Sequence, residues 1–338
     1  MPTTDRPLRL TTAAAAATLL TAALAACSSP STPPAASSSA SPSAISTSPA
    51  GAPNVVAPVA VSGDGDWKPV TDALGRTGKL MDRGTVYRIP LVRSDLHVQT
   101  DGVAIAPGLS LGGYAAFVRY SDMTMVMGDL VVTEDELPKV TDALHAHGLT
   151  QTALHKHLLA QTPPIWWTHY SAMGDPATLA TGLRDVLAAT AIPAPSPTPA
   201  PPAPAPDLDT AAIDAALGRT GTADGGLYKF NLARADTITD NNHLLPPGTG
   251  VTTVINFQPL GGGKAAINGD FVLTDNETQP VITALRAGHI AIVELHNHML
   301  TEQPRLFFLH YWAVDDAATL AKALRPALDA THLAPPAK

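Results

Sequence analysis

The chain has 338 residues, a formal net charge of −8, 32 prolines and one cysteine. The acidic balance argues against nucleic acid or anionic headgroups as partners of the folded part, and one cysteine excludes a disulfide framework even where the compartment would permit one. Outside the low-complexity segments about 270 residues remain, enough for two modest domains.

In chain order, Arg6 and Arg9 precede an alanine- and leucine-rich run from Leu10 to Ala26. The run is too short for a stable span and reads as an export signal over residues 1–26. It ends Leu24-Ala25-Ala26-Cys27, which resembles the lipobox of bacterial lipoproteins. That resemblance implies cleavage before Cys27, lipidation of its thiol, and an exported protein held at the extracytoplasmic face of the cell membrane. Residues 27–62 are mostly Ser, Pro, Ala and Thr, too poor in large apolar side chains to fold, and are expected to form a stalk. Residues 192–207 are dominated by Pro and Ala, a composition that favours polyproline II and makes a semi-rigid spacer on the order of 40 Å long.

Between stalk and spacer, residues 63–191 read as one folding unit. A short helix ends near Gly75 or Gly78. Val86 to Val92, Gly102 to Ile105, Tyr114 to Tyr120 and Met123 to Val132 then alternate or cluster as strands do. Thr133-Glu-Asp-Glu136 has the form of a capping box, with Pro138 delaying the regular helix, and Gly148 stops it. A histidine-bearing hairpin follows, then a helix from about Pro176 to Ala189. Residues 208–334 repeat this order. Ala73-Leu-Gly-Arg-Thr-Gly78 recurs as Ala216-Leu-Gly-Arg-Thr-Gly221; Tyr87, Arg93 and Asp95 recur as Tyr228, Arg234 and Asp236; Gly128-Asp129 recurs as Gly269-Asp270. The second capping box is Thr274-Asp-Asn-Glu277, with Pro280 after it and Gly288 as the stop. The fold class is therefore α+β: two homologous repeats, each an antiparallel sheet with helices packed on it and a histidine-bearing β-hairpin. Each repeat carries a full set of elements and is expected to fold alone.

The histidines recur at one offset of 141 residues: His155, His157 and His169 become His296, His298 and His310. Residues two apart on a strand share a face. If His155 pairs with His169 across the hairpin, then His157 pairs with Trp167, and His155, His157, Trp167 and His169 point the same way. Three neutral imidazoles so placed form a ligand set for zinc or another first-row divalent metal with an open position. A lone H-x-H is more often a hydrogen-bonded pair, but repetition with a third histidine in register favours a site in each repeat.

Ala153-Leu-His-Lys-His-Leu158, Glu294-Leu-His-Asn-His-Met-Leu300, Pro304-Arg-Leu-Phe-Phe-Leu-His-Tyr311 and Met127-Gly-Asp-Leu-Val-Val-Thr-Glu-Asp-Glu136 resemble the LppY/LpqO lipoprotein family, whose repeating unit is a domain of unknown function (DUF1259). The first repeat departs from the pattern at Lys156 and at Trp166-Trp167. The resemblance implies an envelope lineage and transfers no activity.

Other residues offer further chemistry. Asp129 and Asp270 read first as turn aspartates bonded to nearby backbone amides, since Gly-Asp is ordinary turn chemistry; the alternative makes them partners that orient a histidine or bases for metal-activated water. Glu294 lies two residues before His296 and is matched by Ala153. Arg93 and Arg234 with their aspartates fit an anionic ligand or an ion pair at a strand end. Met123, Met125 and Met127 alternate and invite copper, yet their equivalents Lys264, Ala266 and Asn268 make packing the better reading. Trp166, Trp167 and Trp312 fit a pocket or a core. Two functions follow. One is a lipid-anchored envelope protein with a duplicated divalent-metal site and metal-activated water chemistry. The other is a non-catalytic envelope binding or interaction protein whose histidines are a structural hydrogen-bond cluster. Neither names a small-molecule substrate or an envelope partner.

Overall fold

A computed structural model describes residues 54–196 and 202–336. The leader, Cys27 and the stalk up to residue 53 lie outside the described residues. In the first repeat the elements are α1 (Lys68–Leu74), β1 (Lys79–Met81), β2 (Val86–Val92), β3 (Gly112–Arg119), β4 (Thr124–Thr133), α2 (Leu137–Ala146), β5 (Thr150–His155), β6 (Ile165–Gly174) and α3 (Pro176–Leu187). The second has α4 (Thr210–Leu217), β7 (Thr222–Asp224), β8 (Leu227–Ala233), β9 (Thr252–Gly261), β10 (Lys264–Leu273), α5 (Asp275–Ala287), β11 (Ala291–His296), β12 (Phe307–Asp316) and α6 (Ala317–Asp329). Both sheets are antiparallel, with orders β1-β2-β3-β4-β6-β5 and β7-β8-β9-β10-β12-β11.

Local signals account for most helix ends. Gly75 closes α1 with φ 68°, a left-handed cap. Thr274 and Glu277 complete the capping box, so α5 begins at Asp275 and carries Pro280 inside. In the first repeat the same box holds only a turn, and α2 starts at Leu137. Gly148 is left-handed as expected, but in the second repeat that conformation falls to His289 and Gly288 has φ −82°. Gly288 serves packing instead: a Cβ there would lie 2.9 Å from the Ala323 Cβ.

Strand parity divides each sheet into two buried faces. On the outer face Ile89, Phe117, Leu130 and Tyr170 pack under the helices with Val140 and Leu183; Phe257, Ile267, Phe271 and Tyr311 do the same with Val281 and Leu324. On the inner face Tyr114, Ala116, Val118, Met125 and Met127 meet Leu245, Val251, Val272 and Phe308 of the other repeat. Beside them, Val131, Ile165 and Trp167 pack with Leu227, Ala266 and Trp312. Burial on both faces explains why the central strands are nearly continuous apolar runs. The result is a helix–sheet–sheet–helix sandwich.

The two halves are packed together. Each repeat has its own outer core, but its inner face is covered by the other repeat, and each fully buried Val, Leu or Phe there contributes about 1.5–3 kcal/mol. The last residues of the expected stalk are hydrogen-bonded to the repeats. Val56 bridges in parallel to His243, while Val59 N–H donates to the Arg119 carbonyl at 2.7 Å and Val61 N–H to that of Gly84 at 3.0 Å. Valines at 55, 56, 59 and 61 distinguish this stretch from the Ser/Pro/Ala segment before it.

Candidate metal centre

The inner face carries the histidines. In β5 and β6, Ala153 pairs with His169 and His155 with Trp167, a register two residues away from the one the hairpin spacing suggests. A bulge between Gln151 and Ala153 and a strand that stops at His155 cause the difference. A shift of two preserves the face, so the histidines still point inward, with His157 in the loop just beyond the strand. Its ring stacks on Trp167, centroids 4.3 Å apart. In the second repeat Glu294 pairs with His310 and His296 with Phe308, and His298 stacks on Phe308 at 3.4 Å.

The six histidines of the two repeats meet in one cluster. His155 stacks on its own equivalent His296 at 3.9 Å; His157 lies 3.9 Å from His310, and His169 lies 3.7 Å from His298. These cross-pairs exchange under the 141-residue offset, so an approximate two-fold axis passes between His155 and His296. Ligand-capable groups within 4.8 Å of one another are His155, His169 and His296; His155, His157 and His310; and Asp270, His296 and His310. The three-histidine set of a single repeat is not among them. Each group that contains His155 draws on both repeats.

Hydrogen bonds fix which nitrogens are free. His310 Nδ1 contacts the Gly269 carbonyl at 2.7 Å and His169 Nδ1 that of Gly128 at 3.2 Å. A carbonyl accepts only, so both Nδ1 atoms carry hydrogen and both Nε2 atoms are lone pairs. His298 Nδ1 faces the Gly250 carbonyl at 3.3 Å, and its Nε2 meets His296 Nε2 at 3.2 Å. His298 Nε2 is then the acceptor, His296 Nε2 the donor, and His296 Nδ1 a lone pair. The 2.9 Å contact of His155 and His157 through Nε2 repeats this pattern. The Nδ1 atoms of His155 and His296, the Nε2 atoms of His169 and His310, and one oxygen each of Asp129 and Asp270 are buried without a hydrogen-bond partner. They form three symmetric pairs. Unpaired buried polar atoms cost about 1–3 kcal/mol each, so six of them in symmetric pairs fit a ligand that accepts lone pairs.

Asp129 and Asp270 are not turn residues. They sit within β4 and β10, buried, with His157 Nε2 at 3.7 Å from Asp129 and His298 Nε2 at 3.3 Å from Asp270. Burial, then the Asp270 carboxylate, pushes Asp129 well above the usual carboxylate range. Burial pushes Asp270 up to about 6. Burial, then neighbouring imidazoles, holds His155, His157, His169, His296 and His298 well below the usual histidine value, in the neutral form a metal requires. The preceding glycines are equally specific: a Cβ at Gly128 or Gly269 would strike a strand carbonyl and lie 2.5 Å from the hydroxyl of Tyr170 or Tyr311.

The remaining candidates separate. Glu294 Oε2 accepts the Lys156 backbone N–H of the other repeat at 2.7 Å and so supports the first histidine loop. Arg93 and Arg234 do not face a solvent anion. Their side chains are 1% exposed; Arg93 donates to Asp95, Glu136 and the Val131 carbonyl, and Arg234 to Asp236, Glu277 and the Val272 carbonyl. Met125 and Met127 are in the inter-repeat core and Met123 is exposed. Trp167 Nε1 donates to the Ser110 carbonyl, Trp312 Nε1 to Asp101, and Trp166 Nε1 to Glu134. Sequence reasoning missed Arg88 and Lys229. They stand at the same 141-residue offset and line a cavity of about 610 Å³ with His157, His169, His298, His310 and both aspartates. A basic residue on the inward parity of an apolar strand was the available signal.

A family described as Domain of Unknown Function (DUF1259) matches residues 68–189 and again 211–330, the spans of the two sheets and their helices. No curated protein matches the chain. Among solved structures it is similar to the crystal structure of a trimeric bacterial microcompartment shell protein, PduB, at 12% identity over 76% of this chain and 91% of that one. The TM-score is 0.21, and the likeness carries no argument.

Proposed function

Since the chain belongs to the DUF1259 family through both repeats, its ancestry supplies no activity, and we propose from the centre itself that the protein binds a divalent transition metal. The observation that carries this reading is the set of four buried imidazole nitrogens, two from each repeat, left without partners. His155, His169 and His296 are one ligand set within reach of a single ion, and His310 completes the alternatives with His155 and His157 or with His296 and Asp270. Imidazole with carboxylate suits zinc foremost. One ion per chain is expected, not one per repeat. An ion there supplies Lewis acidity and a means of activating water, and the two buried aspartates are the groups placed to take or give a proton. The lipobox at Cys27 supports an anchored, extracytoplasmic location, which a diacylglycerol mass on Cys27 of membrane-extracted protein checks.

A second reading rests on the His155–His157 and His296–His298 contacts: an envelope binding protein whose imidazoles are a structural cluster. Metal analysis of untagged protein and zinc calorimetry on chelator-treated chains separate the two. Under the metal reading His155→Ala and His296→Ala each weaken zinc more than the roughly 10–100-fold typical of groups behind the ligands. Wild-type protein with no tight zinc, or both variants binding like wild type, leaves the structural cluster.

A further inference from the structure

The cavity that reaches the histidines holds two cations that the metal reading does not use. Arg88 on β2 and Lys229 on β8 occupy equivalent positions, and both line it. Arg88 is half-buried, with its Cζ 3.5 Å from the Tyr114 ring centroid and one Nη donating to the Gly248 carbonyl at 2.5 Å. Among the described residues no carboxylate lies within 4.0 Å of it, whereas Arg93 and Arg234 are each clamped by two. Among the described residues Lys229 pairs with Asp224 alone, whose side chain is 68% exposed. A guanidinium has five donors in a planar fork that matches an oxyanion. The buried Asp129, which also lines the cavity, balances this cation only at longer range, so the guanidinium donors not used on Gly248 remain to receive an oxyanion in the cleft.

We propose that the cavity binds a small molecule bearing an oxyanion, with that group held between Arg88 and the histidine centre and Lys229 on the opposite wall. The inner contact rests on the metal reading, because Asp129 and Asp270 would otherwise present their own negative charge to the ligand. The cavity volume lies in the ordinary range for small-molecule sites, about 300–1,000 Å³. Tyr114, Asn256 and Asn268 also line it; the Tyr114 hydroxyl and the Asn268 amide donate to backbone carbonyls, and the side-chain oxygens of the two asparagines are left to accept from the rest of the molecule. Carboxylate and phosphate share the chemistry, so both are probed.

The test uses the full mature chain, zinc-loaded and zinc-free, with inorganic phosphate and malonate as probes in calorimetry, and with zinc content read on every sample. At least one probe should bind zinc-loaded wild type saturably, and removal of zinc should weaken it. Arg88→Met should keep zinc and lose tenfold or more in probe affinity, with Arg88→Lys between the two. A reading that does not need a variant to fold is protection of Arg88 from phenylglyoxal by the bound probe. If neither probe binds zinc-loaded protein, if Arg88→Met binds equally, or if Arg88 is unprotected, the oxyanion site is wrong and the metal reading stands on its zinc content. If wild type holds no zinc while probe binding still depends on Arg88, the metal reading falls and the oxyanion site remains.

Discussion

The two repeats hold the same histidines but grip one another differently. Their registers match Tyr114, Ala116 and Val118 of β3 with Val254, Asn256 and Gln258 of β9. The first repeat holds the Pro247-Gly248 turn of its partner through Arg88 to the Gly248 carbonyl and Tyr114 Oη to that of Thr249. The second repeat holds the equivalent Pro107-Gly108 turn through Asn256 to the Leu109 carbonyl and Gln258 to that of Ala104. Asn268, where the first repeat has Met127, also reaches across to the His157 carbonyl at 2.7 Å. Duplication kept the groups that aim lone pairs at the axis and let the docking groups diverge. Each half is thereby fitted to the other and not to a copy of itself.

The largest effect tests that complementarity. Residues 63–191 and 208–334 produced separately should each bind zinc no better than a surface histidine pair, and an equimolar mixture should recover binding. Calorimetry checks this. A single repeat that binds like the whole chain would sink the shared centre and restore one site per repeat.

The next effect contrasts the inner centre with the outer corners. The five buried histidines are held neutral, so below about pH 6.5 an unfolded chain takes protons that the folded one refuses. Stability without metal should then fall as pH drops through that value, by about 1.4 kcal/mol per unit for each histidine that stays neutral, offset in part by Asp129 and Asp270, whose raised carboxyls take protons in the folded chain over the same range. At the corners, hydrogen bonds outweigh burial. Asp95 and Glu136 around Arg93, and Asp236 and Glu277 around Arg234, are held below the usual carboxylate range. Their contribution is present above about pH 4 and is lost as pH falls through the depressed folded values. Urea melts of metal-free protein from pH 8 to pH 3 should show two stages, and a flat response between pH 7 and pH 5 would contradict the buried neutral histidines.

Much of the fold was legible because the chain states its elements twice: strand parity and hairpins agree in both copies even where the caps form differently, and an error of two residues in register still leaves the histidines on the correct face. The meeting of the repeats was not legible. Nothing local in His155 says that its neighbour is His296, since that contact depends on two sheets turning their inner faces together. Asp129 read as turn chemistry because Gly128 precedes it, whereas the glycine is required by the Tyr170 ring and the Tyr114 carbonyl. Arg93 looked available because its partner Glu136 lies a helix cap away in sequence.

The smallest effects come from exchanging the residues on which the two histidine loops differ. Glu294→Ala gives the second repeat the residue of the first, Ala153, and leaves the Lys156 N–H without its acceptor. The donor is only half-buried, so its loss costs less than the about 1–3 kcal/mol of a fully buried one, and because Lys156 lies between His155 and His157, zinc affinity should fall with stability. Lys156→Asn makes the reciprocal change without touching that bond, which uses the backbone. It removes only the contact of the Lys156 ammonium over Trp166, at 4.2 Å from the ring centroid, worth about 0.5–1 kcal/mol at an exposed site. Thermal melts should separate the two variants, and zinc calorimetry should separate them further, with Lys156→Asn binding as wild type does. Equal losses of zinc in both would mean that the lysine side chain, and not its backbone held by Glu294, fixes the loop.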